Sequence, residues 1–290
     1  MVSSTERRLF ILPATILILV LSIFPLFFSL GLTLTNVRLL GQNNHFIGLA
    51  NWMQVIQDRN FHQIIKNTII FVIGGATLQY ILGLGLALVL NEDLKFRAFW
   101  RVSFILPMMI SPVAISYIIG KMVLDETYGP IYDIAQRLHL SLPNWTASAP
   151  LSMLVLILVD TWQWTPFFVL VLLAGLQAIQ PELYEAARID GASRWSLFRH
   201  ITFPLLMPLT ATSLLIRTLE MFKVIDIVRV VTGGGPGQAT ESVTLFAYDL
   251  GIKGGDISYA STLAFVFLIG VILYANGFLA VAKRITPDQG

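Results

Sequence analysis

Cysteine is absent from the chain of 290 residues, which excludes disulfide staples and thiolate metal sites. Histidine is scarce: His45, His62, His139 and His200 are the only four, all in stretches read as loops. Without a Gly-x-Ser-x-Gly motif either, no nucleophile–base pair is available for an intramembrane hydrolase. Charge is thin, at 12% of residues where a soluble domain carries about 25%. A formal net charge of +2, with no basic cluster standing in a soluble region, gives no footing to a nucleic-acid partner. A Gly-x-x-x-x-Gly-Lys-Ser/Thr phosphate loop is missing as well. The run Gly233-Gly234-Gly235-Pro236-Gly237 lacks the Lys-Ser/Thr that would complete one. If ATP drives this protein, another chain hydrolyses it.

Apolar residues are abundant: 56% of the chain is hydrophobic, with a mean hydropathy of +0.74. They come in blocks of about 20, the length of helix that crosses a ~30 Å hydrocarbon layer. The reading is an all-α membrane protein with six transmembrane helices, over 9–32, 68–90, 104–123, 151–176, 205–228 and 260–281. The fifth is the most interrupted, by Arg217, Glu220, Lys223 and Asp226. The first follows Arg7 and Arg8, is too long for a signal peptide and lacks a cleavage site, so it reads as a retained span. No loop is long enough to bury a core of its own, so residues 1–290 read as a single transmembrane domain.

Connections alternate. Short basic ones hold Lys95, Arg97 and Arg101, then Arg188, Arg194 and Arg199, with Lys283 and Arg284 after the last span. This bias puts them, and both termini, in the cytoplasm. The longer loops, around 41–67, 125–150 and 232–259, fall outside.

One cytoplasmic connection, 181–204, is a polar island between two apolar runs. Pro181 suits a first helical turn, and Glu182 and Glu185 favour the positive end of the helix dipole. Ala186 and Ala187 form helix strongly while letting another surface approach the backbone. Glu185 and Arg188 are spaced to pair, and Gly191 permits a left-handed turn. Ser193 is placed to cap a second short helix carrying Trp195, Leu197 and Phe198, and Pro204 to reset the chain before span five. On physical grounds this is either an interfacial amphipathic helix or a docking helix, and the two are compatible.

The pattern Glu185-Ala186-Ala187, three residues, Gly191, nine residues, Ile201, one residue, Phe203-Pro204 closely resembles the EAA loop of permease subunits in binding-protein-dependent ABC importers. That consensus has Leu where this chain has Phe203. Further stretches resemble permeases of the maltose and glycerol-phosphate uptake group. They are Arg101 with Phe104-Ile105-Leu106-Pro107, then Val159 to Phe167, Leu183 to Ala192, and Asp226-Ile227-Val228 with Thr232 to Gly237 and Thr240-Glu241-Ser242. Tyr132 stands where relatives often have Asn.

The resemblance implies an ABC importer permease fold with a cytoplasmic coupling helix. It implies a second homologous permease, two ATPase subunits that use ATP and Mg, and an extracytoplasmic solute-binding protein. The substrate would be a sugar or polyol, the setting a bacterial or archaeal inner membrane, and the chain itself would bind no cofactor or metal. Glu185, Ala186, Ala187, Arg188, Asp190, Gly191 and Pro204 would couple to the ATPase. Gly233, Gly234, Gly235 and Pro236 would meet the binding protein, or form a plain flexible turn. An ion-coupled secondary transporter, or an importer of a non-sugar solute, would also use intramembrane charges.

Those charges mark a candidate substrate path. Asp160 lies ~13 Å below the outer end of span four, and Arg217 and Glu220 come at comparable depth on span five. Asp160 and Arg217 are expected within pairing distance, either to hold the bundle or to contact substrate. Trp162, Trp164 and Phe168 offer faces for a sugar ring or for packing, and Lys223 and Asp226 are expected at the outer vestibule.

Overall fold

The computed structural model describes residues 4–41, 44–93 and 95–285; Arg7, Arg8 and Arg97 belong to stretches whose side chains are outside this description. Helix α1 (Ser4–Ile18) passes through a π turn at Leu19–Ile23 into α2 (Phe24–Leu32). The π turn spans Leu21, whose carbonyl would otherwise face Pro25, a residue with no N–H to donate. Two side chains fold the following loop back on this helix end: Asn51 Nδ2 donates to the carbonyls of Thr33 (3.0 Å) and Thr35 (2.8 Å), and Trp52 Nε1 to Thr33 Oγ1 (3.1 Å). Both belong to α3 (Ala50–Gln57).

Asp58 caps the long α4 (Arg59–Asn91), its Oδ1 accepting from Asn60 N at 2.9 Å. The next apolar run holds α5 (Arg97–Met109), α6 (Pro112–Ile115) and a π segment at Ser116–Val123. Here the structure corrects the expectation of one straight span over 104–123: the two halves are bent by 95°. Ile110 turns extended (ψ 140°), which ends α5, and Pro112 keeps Ser111 out of the helical region as well (ψ 136°). The bend frees the Ile110 carbonyl, and Gln163 Nε2 takes it up at 2.9 Å, as a broken helix at membrane depth requires.

A short α7 (Pro130–Arg137) precedes α8 (Ala149–Ala178). More than half of α8 is buried, and it packs against α4 and, further along the chain, α9 (Pro181–Ile189), α10 (Arg194–Leu197) and α11 (Phe203–Phe222) follow. Ala87, Leu90, Phe168, Val169, Leu172, Leu173, Leu176 and Leu206 form the apolar core where α4, α8 and α11 meet. Glycines set the approach: a Cβ on Gly83 would lie 2.4 Å from Phe168 Cβ, and one on Gly175 would lie 2.5 Å from Leu209 Cδ1. Such small residues let membrane helices come close.

Two expectations for the fifth span change. A π turn at Phe198–Thr202 joins α10 to α11, so Arg194–Phe222 is one apolar helix and Pro204 lies within it. The π turn relieves the Pro204 ring of its clash with the His200 carbonyl, as it does before Pro25. The helix also stops at Phe222, not 228: the Lys223 and Val224 N–H groups bond back to Glu220 and Met221. The stop keeps Lys223 and Asp226 out of a helix running through hydrocarbon. His62, read as a loop residue, is helical within α4, and His200 is helical in the π turn.

A π turn at Val228–Thr232, α12 (Val243–Tyr248), a π segment at Asp249–Lys253 and α13 (Ile257–Ile285) complete the chain. Ser258 anchors α13 to the loop after α2, its Oγ accepting from Val37 N at 2.8 Å. Among the described residues, five helices are long and apolar enough to cross a membrane, six if the bent pair is one span. Contacts cluster into two units: the chain to Phe61 with Phe246–Gly270, and His62–Leu245 with the chain from Val271.

Candidate functional site

Two features of the second unit carry chemistry. The first is a buried polar network between α4, α8 and α11. Asp160 and Arg217, expected within reach, form an ion pair in which Arg217 Nη2 donates to Asp160 Oδ2. Gln79 closes the triangle: its Nε2 donates to the same oxygen at 2.7 Å and its Oε1 accepts from Arg217 Nε at 2.8 Å. Arg217 is only 4% exposed and Gln79 is fully buried. The Arg217 guanidinium also stacks over Trp164, its Cζ 4.6 Å from the ring centroid. Charge, hydrogen-bond partners and aromatic face are thus matched around one buried cation, the condition under which such an ion is tolerated.

The approach of α4 is set at Gly75, where an added Cβ would sit 2.4 Å from Met221 Cε and 3.8 Å from Asp160 Oδ2. Gln79 and Gln163 were not singled out from the sequence. Each is an uncharged polar residue inside an apolar run, and that is the signal that could have found them.

The network forms the floor of a half-open cavity of about 310 Å³, walled by Trp164, Met221 and the segment from Glu220 to Ile227. Glu220 and Lys223, both exposed, pair at 2.8 Å on its rim, and Asp226 stands beside them. Of the aromatic residues considered for the substrate path, Trp164 alone faces this cavity. Phe168 is fully buried in the apolar core, edge-on to Tyr80. Trp162 points to a different, apolar cleft of about 590 Å³ between α4, α5 and α8. The sequence groups three aromatic residues that the helix distributes over three faces.

The second feature is the hairpin of α9 and the start of the fifth helix. Gly191 takes φ +82°, the left-handed conformation that ends a helix. Around it the Ala192 N–H bonds to the Ala187 carbonyl (2.9 Å) and the Gly191 N–H to the Arg188 carbonyl (3.1 Å). This is the Schellman closure, satisfying carbonyls that a helix end leaves orphaned. Ser193 caps the next helix, its Oγ accepting from Ser196 N at 3.2 Å. Tyr184 OH and Thr202 Oγ1 lie 3.0 Å apart and tie α9 to the helix that becomes α11.

Glu185, Ala186, Arg188, Asp190, Gly191 and Pro204 are exposed and Ala187 half-buried, and the spaced pair Glu185–Arg188 makes no ion pair among the described residues. Ile189, at the tip of α9, is 87% exposed, a large apolar group held in the open by a closed turn.

The Gly233–Pro236 turn is held rather than loose: Gly233 and Gly234 have φ of +63° and +90°, and Thr240 Oγ1 donates to the Gly235 carbonyl at 2.6 Å. Tyr132 is placed in α7, its hydroxyl donating to the Pro143 carbonyl at 2.6 Å.

The chain is 36% identical over 275 residues to the trehalose/maltose transport system permease protein MalF of Thermococcus litoralis, covering 95% of this chain and 92% of that one. It is 31% identical to the trehalose transport system permease protein SugA of Mycobacterium tuberculosis, over 97% of this chain and 91% of the relative. In fold it matches a bacterial alginate ABC transporter, solved with a periplasmic protein carrying an alginate pentasaccharide. The TM-score is 0.84 at 22% identity, over 96% of this chain and 93% of that one. Residues 79–286 match the family described as the inner membrane component of binding-protein-dependent transport systems, and the chain belongs to that family.

Proposed function

We propose that the chain is the permease subunit of an ATP-driven sugar importer, forming the translocation path with a second, homologous permease. The observation that carries this reading is the closed α9 hairpin, which presents Glu185, Ala186 and Ile189 to solvent while Tyr184 ties it to the fifth helix. A protruding element exposed on one side and tied to a long helix on the other is suited to receive force from another protein. The basic connections and both termini lie in the cytoplasm in this reading, on the side where ATP is available.

Two ATPase subunits bind ATP and Mg and engage the hairpins; this chain holds neither. Closure of the ATPases draws the two hairpins together, and α11, continuous with the second arm of the hairpin, carries the movement to the cavity above Arg217. An extracytoplasmic binding protein delivers the solute, with the Gly233–Pro236 turn among its contacts. Sugar is supported over other solutes by the names of the relatives, maltose and trehalose permeases, and by Trp164 at the cavity wall, whose ring suits the apolar face of a pyranose.

The Asp160–Arg217–Gln79 network lies at the floor of that cavity with its polar atoms committed to one another rather than to the solute. It positions Trp164, while Glu220, Lys223 and Asp226 supply hydroxyl-binding groups. The reading is tested by purifying the transporter with Glu185→Arg or Gly191→Val in this chain and measuring ATPase retention and hydrolysis stimulated by solute-loaded binding protein. Loss of either supports it; wild-type values for both refute it.

A further inference from the structure

Helix α3 divides into three faces at helical spacing. Asn51, Trp52 and Val55 turn inward: Asn51 and Trp52 hold the end of α2 through Thr33 and Thr35, and Val55 is fully buried. Ala50, Gln54 and Gln57, at i, i+4 and i+7, form an exposed stripe with two polar amides. Leu49, Met53 and Ile56, also at i, i+4 and i+7 and rotated by one residue, form a second exposed stripe that is wholly apolar; each is more than half exposed.

The position of the helix says what covers that stripe. Its inward face is bonded to the last residues of the first apolar span, and one residue beyond its end Asp58 caps the second span, beginning at Arg59. The tether to Thr33 and Thr35 therefore fixes the helix at the level where the first span leaves the hydrocarbon. The first span has none of its apolar window buried within the chain. The stripe of Leu49, Met53 and Ile56 continues that surface, with a polar stripe beside it for water. This division suits a helix lying in the boundary between headgroups and acyl chains, about 5–10 Å deep.

We propose that α3 is an interfacial helix, which seats Leu49, Met53 and Ile56 in the acyl boundary of the bilayer and leaves Gln54 and Gln57 in water. It acts as a float that fixes the depth at which the first two spans are joined. The second stripe, the tether to Thr33 and Thr35, and the cap at Asp58 together orient it about its axis.

This chain carries no cysteine of its own, and the partner chains are prepared without theirs. Single cysteines at 49, 53 and 56, and at 50, 54 and 57, are spin-labelled in the whole transporter reconstituted in phospholipid vesicles. Collision with oxygen and with a water-soluble nickel chelate is then measured at each site. The oxygen-to-nickel ratio is expected above one at 49, 53 and 56 and below one at 50, 54 and 57. Ratios below one at all six sites would mean the helix stands in water, and exclusion of both reagents from 49, 53 and 56 would mean that protein covers the stripe. Either result overturns the proposal. All six side chains are exposed, so the variants should assemble; Met53→Leu, repeated alongside, should leave its neighbours' ratios unchanged.

Discussion

Tyr184 and Thr202 are joined across 18 residues by a hydrogen bond of 3.0 Å between their side-chain hydroxyls. It is a side-chain link between the outer helix of the hairpin and the helix that continues, without a break, to Arg217. Removing it loosens the hairpin without removing any surface residue. Tyr184→Phe should leave the ATPases bound but lower the ratio of solute transported to ATP hydrolysed. A part-buried hydrogen bond is worth about 1 kcal/mol, roughly fivefold in the population of the docked geometry. Transport and hydrolysis measured together in proteoliposomes check this.

At Gly191 the surroundings are open, since an added Cβ meets nothing within 4 Å, so only the backbone conformation objects to a side chain. Gly191→Ala should therefore destabilise the hairpin by about 1–2 kcal/mol, and Gly191→Asn by less. Co-purification of the ATPase subunits should fall in the same order, Ala below Asn below Gly. Equal recovery from all three would contradict the role of the turn.

Asp160→Ala leaves Arg217 buried without its counter-charge, an expected loss of about 3–5 kcal/mol that should appear as reduced assembled protein. The double variant Asp160→Asn, Arg217→Gln removes both charges and should recover assembly. If that recovered protein also transports normally, the network is structural, as proposed here. Assembly without transport would instead place Asp160 or Arg217 on the solute.

Trp164→Ala and Trp162→Ala separate the two aromatic faces of α8. The first should raise the KM for uptake, by roughly tenfold if one ring–sugar contact of about 1.4 kcal/mol is lost. The second should leave KM unchanged, because Trp162 lines the separate apolar cleft. Initial-rate uptake across solute concentrations distinguishes them.

The apolar runs and the hairpin were legible in the sequence because their signals are local: length of an apolar block, a proline at a helix start, a glycine at its end. The pairing of Asp160 with Arg217 was legible because two opposite charges in hydrocarbon have few other ways to be tolerated. What escaped depends on how helices meet. The bend at Ile110 needs Gln163 from another helix to donate to its freed carbonyl, and the burial of Phe168 depends on Gly83 opposite it. The π turns before Pro25 and Pro204 escaped for different reasons: Pro204 reads as a reset of the chain, whereas one widened turn carries the helix past it, and the span over 9–32 reads as regular helix straight through Pro25.

The most direct test of the account is ATP hydrolysis by the reconstituted transporter, with and without solute-loaded binding protein, when Glu185 on the exposed face of α9 is reversed to Arg. The account predicts that stimulation by the binding protein is lost while the unstimulated rate of any bound ATPase persists. Full stimulation, with transport at the wild-type ratio to ATP, would contradict it.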